Sequence, residues 1–378
     1  MPGVAELPLH GGHVPRWMLA RMERLAGAVV EALVELKGPS ALVAGLSDPF
    51  WFQAFNNLIG MDWDSSGSTT VVTGILKSIT WRRPELGVLV LGGKGSKMRL
   101  VLEEAERASE ILGVDPGFVE ALSRAAARVD SALLQDGYTL YHHAVILAEG
   151  GDAVVIQQGM NPERRIARRY HLDRASVEEP HTGIAGRPGV ALNLVDRESR
   201  NARRVIVDLL QEPPGRVERL IAEAYRASRG GRSLLDYMGA RGGAVEPPRW
   251  ARFYRPVKPS PQLRRALEEV ARDPPTSEVD LLVKPGIGPS VIRALALVAD
   301  LLYRAPASSR DPVTHPIEPY MYAYAVGGKD GVPYPFDSRT AERVAEILEE
   351  ALERARIGEE EKLRALMRLR RILPSPRA

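Results

Sequence analysis

Six of the chain's seven histidines fall before residue 182, and several stand in dense polar phrases. His10 and His13 flank a glycine pair, Asp136 sits in QDGY, and His142 and His143 are adjacent. Gln157 and Gln158 precede a glycine, Arg168 and Arg169 lead into His171, and His181 follows two glutamates. Neutral imidazole with carboxylate is a good donor set for a divalent cation, and such a cation activates water for attack on a phosphodiester. On this reading Asp136, His143 and His171 are metal ligands, for manganese or magnesium before zinc. Gln158 and His181 complete the catalytic set, and Arg168 and Arg169 hold phosphate. No spacing matches an established zinc pattern such as H-E-x-x-H. The chain has no cysteine, which excludes disulfides, thiolate metal sites and cysteine nucleophiles. The competing use of the same residues is structural: His and Gln satisfy buried backbone groups or pair with arginine.

A second signal is the run Lys284-Pro285-Gly286-Ile287-Gly288-Pro289-Ser290 between two apolar helical stretches. Gly286 and Gly288 permit a tight turn and leave amide N–H groups at the start of the following helix, a place that attracts phosphate. The pattern reads as a helix-hairpin-helix, with an ordinary ligand-free corner as the alternative. Just upstream, residues 226–258 hold eight basic residues, Arg249 and Arg252 among them, against Asp236 and Glu246, with Tyr237, Trp250, Phe253 and Tyr254 interleaved. Guanidinium groups pair with phosphates and aromatic rings stack on unpaired bases, so this stretch suits a nucleic-acid strand. Lys329, in the turn-rich phrase GGKDG, extends that set. Residues 92–97, GGKGSK, offer amides and lysines to a phosphate without the spacing of a phosphate-binding loop.

These groups need elements to position them. Residues 15–37 have helical period and stop at Gly38-Pro39; residues 102–112 and 116–134 also read as helices, the second capped by Asp115-Pro116. Ser47-Asp48-Pro49 reads as another capped helix start, and Asp62-Trp63-Asp64 as a capping loop or a pair of carboxylates. Residues 139–148 and 153–158 are β-rich runs around Gly150-Gly151. A two-residue loop there pairs 149 with 152, setting His143 opposite Gln158 and Ala144 opposite Gln157. Both faces are apolar near the turn, so the hairpin is expected to be buried. Helices follow at 196–210, 216–228, 261–271, 339–356 and 359–371. The fold class is α+β, predominantly helical. Residues 1–211 are expected to form an N-terminal mixed domain with the catalytic candidate, 212–259 a basic Gly/Pro-rich connector, and 260–378 a helical nucleic-acid-binding domain.

Composition is that of a globular protein: 44% hydrophobic, 26% charged, formal net charge +3. The start lacks the basic and apolar regions of a secretory signal and no run is long enough to span a membrane, so a cytoplasmic protein is expected.

Residues 7–17, 48–53, 135–138, 157–161, 167–171 and 327–331 together resemble the hallmarks of domain-of-unknown-function family 763, across nearly the whole chain. That resemblance implies one coherent unit and carries no activity. The glycine hairpin is also similar to that of DNA glycosylases of the endonuclease III superfamily. There the residue two after the second glycine is lysine in enzymes that cleave the backbone, and a downstream aspartate assists base loss. Here the corresponding residues are Ser290 and, slightly beyond the pattern, Asp311, so no Schiff-base chemistry is implied. The expectation is a DNA-binding protein, favouring single-stranded or structured DNA over RNA, acting as a metal-dependent nuclease with no nucleotide cofactor. A glycosylase without lysine chemistry and a non-catalytic scaffold are the alternatives.

Overall fold

The structure is a computed structural model and describes residues 16–61, 66–229, 248–253, 256–315 and 338–370. The N-terminal helical pattern becomes α1 (Arg16–Lys37), α2 (Pro39–Ser47), α3 (Pro49–Leu58) and α4 (Ser66–Arg82). The Asp48 side chain accepts hydrogen bonds from the amides of Phe50 and Trp51, and Pro49 fills the first turn, as the capping pattern requires. Next come β1 (Val88–Lys94), α5 (Leu100–Leu112) and α6 (Pro116–Arg128), with the cap at Asp115 formed. A π turn over Val129–Leu133 ends that helix earlier than its apolar pattern suggests.

Strands β2 (Leu134–Gln135), β3 (Thr139–Ala148), β4 (Ala153–Asn161), β5 (Ile166–Leu172), β6 (His181–Ala185) and β7 (Val190–Asn193) lead into α7 (Arg200–Leu210) and α8 (Pro214–Ala227). The remainder is α9 (Arg249–Phe253), α10 (Pro261–Val270), α11 (Asp280–Val283), α12 (Pro289–Tyr303), β8 (Ser308–Arg310), α13 (Ser338–Arg354) and α14 (Glu359–Arg370). The fold is α+β and predominantly helical.

An antiparallel sheet in the order β1-β3-β4-β5-β6 lies between two helical layers, and a smaller sheet is ordered β2-β7-β8. Alternation explains the sandwich. Leu89, Leu91, Val145, Leu147 and Val155 pack under α5 and α6, whereas Val90, Ala144, Ile146, Val154 and Ile156 pack under α1–α4 and α13–α14. The expected burial of the β3–β4 hairpin is observed.

Its register is not the expected one. Leu147 pairs with Ala153 and His143 with Gln157, while His142 faces Gln158. The Glu149 amide donates to the Gly87 carbonyl at 2.8 Å, so Glu149 leaves the ladder. The Ala148 amide instead closes on the Asp152 carbonyl at 2.8 Å, with Gly150 and Gly151 at φ of 93° and 96°. One added loop residue exchanges the faces of β4 relative to β3.

The packing also crosses the expected domain boundaries. α12 contacts α7 and α8 and joins the core on the α5–α6 side, whereas α13 packs on α1 and α14 on α3. The helices after residue 260 therefore belong to two different layers built with the N-terminal half, because each sheet face needs more apolar cover than its adjacent segments supply. Among the described residues, no helix is long and apolar enough to cross a membrane.

Candidate functional site

On the α5–α6 face of the sheet the polar residues form a closed relay. Gln157 on β4 donates to Asp130 Oδ2 at 2.5 Å and to the Ala126 carbonyl at 3.0 Å. Its carbonyl oxygen is thus left to accept from His143 Nδ1, 2.8 Å away. His143 Nε2 accordingly accepts the Ser123 hydroxyl at 2.8 Å, and Asp130 Oδ1 lies 2.6 Å from His181 Nε2. A serine donating to an oriented imidazole is the geometry of an activated nucleophile. Here Ser123 and His143 are only 7% and 5% exposed, and the relay joins sheet to helix. Burial lowers the His143 pKa and keeps the ring neutral.

Beside the relay, Arg168 on β5 is held by two carboxylates. It lies 2.7 Å from Asp136 and makes paired bonds of 3.0 and 2.8 Å to Asp311, while the Tyr170 hydroxyl donates to Asp136 at 2.7 Å. Burial alone would lower the Arg168 pKa, but Asp136, Tyr170 and Asp311 hold it well above the ordinary value. Asp311 also accepts the Gly189 amide at 2.7 Å, so the aspartate that the glycosylase resemblance suggested is committed to the fold.

The opposite face carries a polar row on neighbouring strands, His142, Gln158 and Arg169. Thr73 of α4 donates to the Thr69 carbonyl at 2.7 Å, so its oxygen accepts from His142 Nε2 at 3.1 Å. The Gln158 side chain accepts from Tyr141 at 2.5 Å and donates to Thr69 at 3.1 Å. Arg169 donates to His171 Nε2 at 2.9 Å and to the Pro49 carbonyl at 3.2 Å, and it stacks on Phe52 at 4.3 Å. His171 Nδ1 in turn donates to the Leu46 carbonyl at 2.8 Å. Burial lowers the His171 pKa well below its ordinary value and that of His142 to about 3. Among the described residues, His142 Nδ1 on this face, an acceptor in this tautomer, has no partner, nor has either amide atom of Asn56, fully buried one turn after Phe52 on α3, nor Arg168 Nε on the first face.

The expected metal set is therefore not assembled. Asp136 and His143 lie on one face of the sheet in separate hydrogen-bond systems, and His171 lies on the other face, because neighbouring strand positions alternate. Among the described residues no group of three or more His, Asp or Glu side chains could hold a metal ion. Of the remaining expected catalytic residues, His181 joins the first network and Gln158 the second.

The glycine hairpin bridges α11 and α12. Gly286 has φ of 79°, and a Cβ there would meet Val270 Cγ2 at 2.8 Å; Ile287 is fully buried. Arg128 of α6 donates to the carbonyls of Ile287 and, at 3.1 Å, Lys284. Gln135 donates to the Pro289 carbonyl at 2.9 Å and accepts from Arg293 at 3.0 Å. Burial lowers the Arg128 pKa. Pro285, Pro289 and Ser290 are exposed, and Lys284 pairs with Asp273. Arg249 is exposed at the start of α9; the Arg252 side chain and Lys329 lie outside the described residues, as do His10, His13, Asp62 and Asp64.

Sequence reasoning missed Asp130, Ser123, His142 and Asn56 as members of these networks. Asp130 and Ser123 lie within helical runs and carry no local signal, whereas His142 was readable once the hairpin register was right. Comparison with curated proteins and with solved structures finds no match. A family model described as Protein of unknown function (DUF763) matches residues 3–336. With that match spanning most of its length, the chain belongs to the DUF763 family.

Proposed function

We propose that the protein binds DNA, gripping the phosphate backbone with Lys284, Gly286, Gly288 and Ser290 as a helix-hairpin-helix. The observation that carries this reading is which way the loop's polar groups are used. The carbonyls of Lys284, Ile287 and Pro289 are taken by Arg128 and Gln135, and that of Gly286 accepts the Gly288 amide at 2.9 Å. Pro289 has no N–H and the Ile292 amide donates to the Gly288 carbonyl at 3.1 Å, so the amides of Ser290 and Val291 are the ones in the first turn of α12 with no preceding helical carbonyl to meet. They stand beside an exposed surface at the positive end of a 15-residue helix, which suits a phosphate oxygen.

Gly288 tests this directly. Its φ is −90° and an added Cβ would meet nothing within 4 Å, so Gly288→Ala disturbs the fold little while placing a methyl where a phosphate would approach. The expected result is stability within about 1 kcal/mol of the parent and a several-fold loss of affinity for labelled duplex and single-stranded DNA. Unchanged affinity would sink the proposal.

A hydrolytic activity is a second reading, favoured by the Nδ1 lone pair of neutral His142, 1% exposed beside Gln158 and Thr73 and claimed by none of the described residues. Incubating the same DNAs with and without manganese tests it: cleavage lost in His142→Ala supports it, and binding without cleavage leaves a scaffold.

A further inference from the structure

Two loops at one end of the large sheet hold positive charge that no carboxylate of the described residues pairs with. Lys94 ends β1 and Lys97 and Arg99 follow it, while Arg164 and Arg165 lie in the turn between β4 and β5. Pairing of Lys94 with His142 and of Thr139 with Met160 puts both loops at the same end. All five residues are exposed, with Glu163 the single acid within the two loops. Among the described residues none of the five is in an ion pair; Lys94 instead lies over the Tyr141 ring at 5.9 Å. Elsewhere on the surface Arg82, Arg83, Arg197 and Arg364 are each paired with glutamate, whereas Arg219, Arg265 and Arg272 are, like these five, without an ion pair among the described residues.

We propose that this sheet end is a second phosphate-contacting surface, over which a nucleic-acid backbone runs toward the glycine hairpin. The inference deepens the DNA-binding reading above and rests on it. Strands lie about 4.8 Å apart, so the two loops are separated by roughly 10–14 Å across β3 and β4, enough to meet successive phosphates rather than one. The chain itself links the two surfaces. Gln135 holds Pro289 and Arg293 of the hairpin, and three residues later Tyr138 packs against Gly159 at the sheet end, where β3 begins. Open glycine backbone at Gly95, with φ of 63° and nothing within 4 Å of a built Cβ, lets a phosphate approach the loop amides between Lys94 and Lys97.

The test is the salt dependence of duplex and single-strand binding by the whole protein, measured by anisotropy from about 50 to 300 mM salt. Three proteins are compared: the parent, a variant with all five cations changed to glutamine, and Gly288→Ala. Because each neutralised phosphate contributes about 0.9 to the slope of log affinity against log salt, the five-fold variant should lose about 2 or more from that slope. Its affinity at low salt should fall at least tenfold, with an unchanged unfolding midpoint. If the variant binds with the parental slope while Gly288→Ala is weakened, this inference is overturned and the hairpin reading stands. If the variant is weakened and Gly288→Ala is not, the hairpin reading falls and the sheet end is the contact. Absence of binding by the parent overturns both.

Discussion

Asn56 holds a full carboxamide where neither end has a partner among the described residues, in a helix buried along its whole length. Leaving such a group unpaired costs on the order of 1–3 kcal/mol, so Asn56→Leu should raise stability by about 1–2 kcal/mol in urea unfolding. A loss of stability would mean that the amide is satisfied in solution. Arg168 gives the opposite expectation. Removing it leaves Asp136 and Asp311 buried and uncompensated, and Arg168→Ala should cost about 3–5 kcal/mol by the same measurement. Three buried histidines contribute to the pH response on the acid side. His142, His143 and His171 have folded pKa values below 6.5, so the unfolded chain binds more protons as pH falls. Their contribution is complete above about pH 6.5 and is lost toward the folded value, near 3 for His142, at up to about 1.4 kcal/mol per pH unit for each ring. A urea midpoint that does not fall between pH 7 and 4 would contradict neutral, buried imidazoles.

At the scale of elements, the two hairpins show what local sequence fixes and what it leaves open. Asp48-Pro49 and Asp115-Pro116 marked helix starts correctly because cap and first turn are built from adjacent residues. The β3–β4 register failed because its determinant, the Gly87 carbonyl, lies more than sixty residues upstream on the β1 side. β1 and β5 were not read as strands: one is a short apolar run and the other carries Arg168, Arg169 and His171, whose burial depends on partners elsewhere. The glycine hairpin was legible as a turn, and the Arg128 clamp on its carbonyls was not. Gly286→Ala should destabilise by about 1–3 kcal/mol, since left-handed backbone and a contact under 3 Å act together. Thermal unfolding of the Gly286→Ala and Gly288→Ala pair checks that asymmetry.

Across the whole molecule, two cores share one sheet, and each is assembled from segments far apart in sequence. A separate C-terminal unit was expected from the change in pattern near residue 212, but apolar periodicity says that a helix is covered without saying by what. A fragment of residues 260–378 should accordingly show no cooperative unfolding by circular dichroism, because its helices lose partners in both layers; a sharp transition would restore the independent domain. The division has a further consequence for synthesis. Once α12 and β8 have emerged from the ribosome together with Ala307 and Asp311, the α5–α6 side of the sheet can close, whereas α1 and α3 still lack α13 and α14. The nascent chain then carries an uncovered apolar surface for as long as the last helices take to emerge, and that interval is when it is most vulnerable to aggregation and most dependent on chaperones.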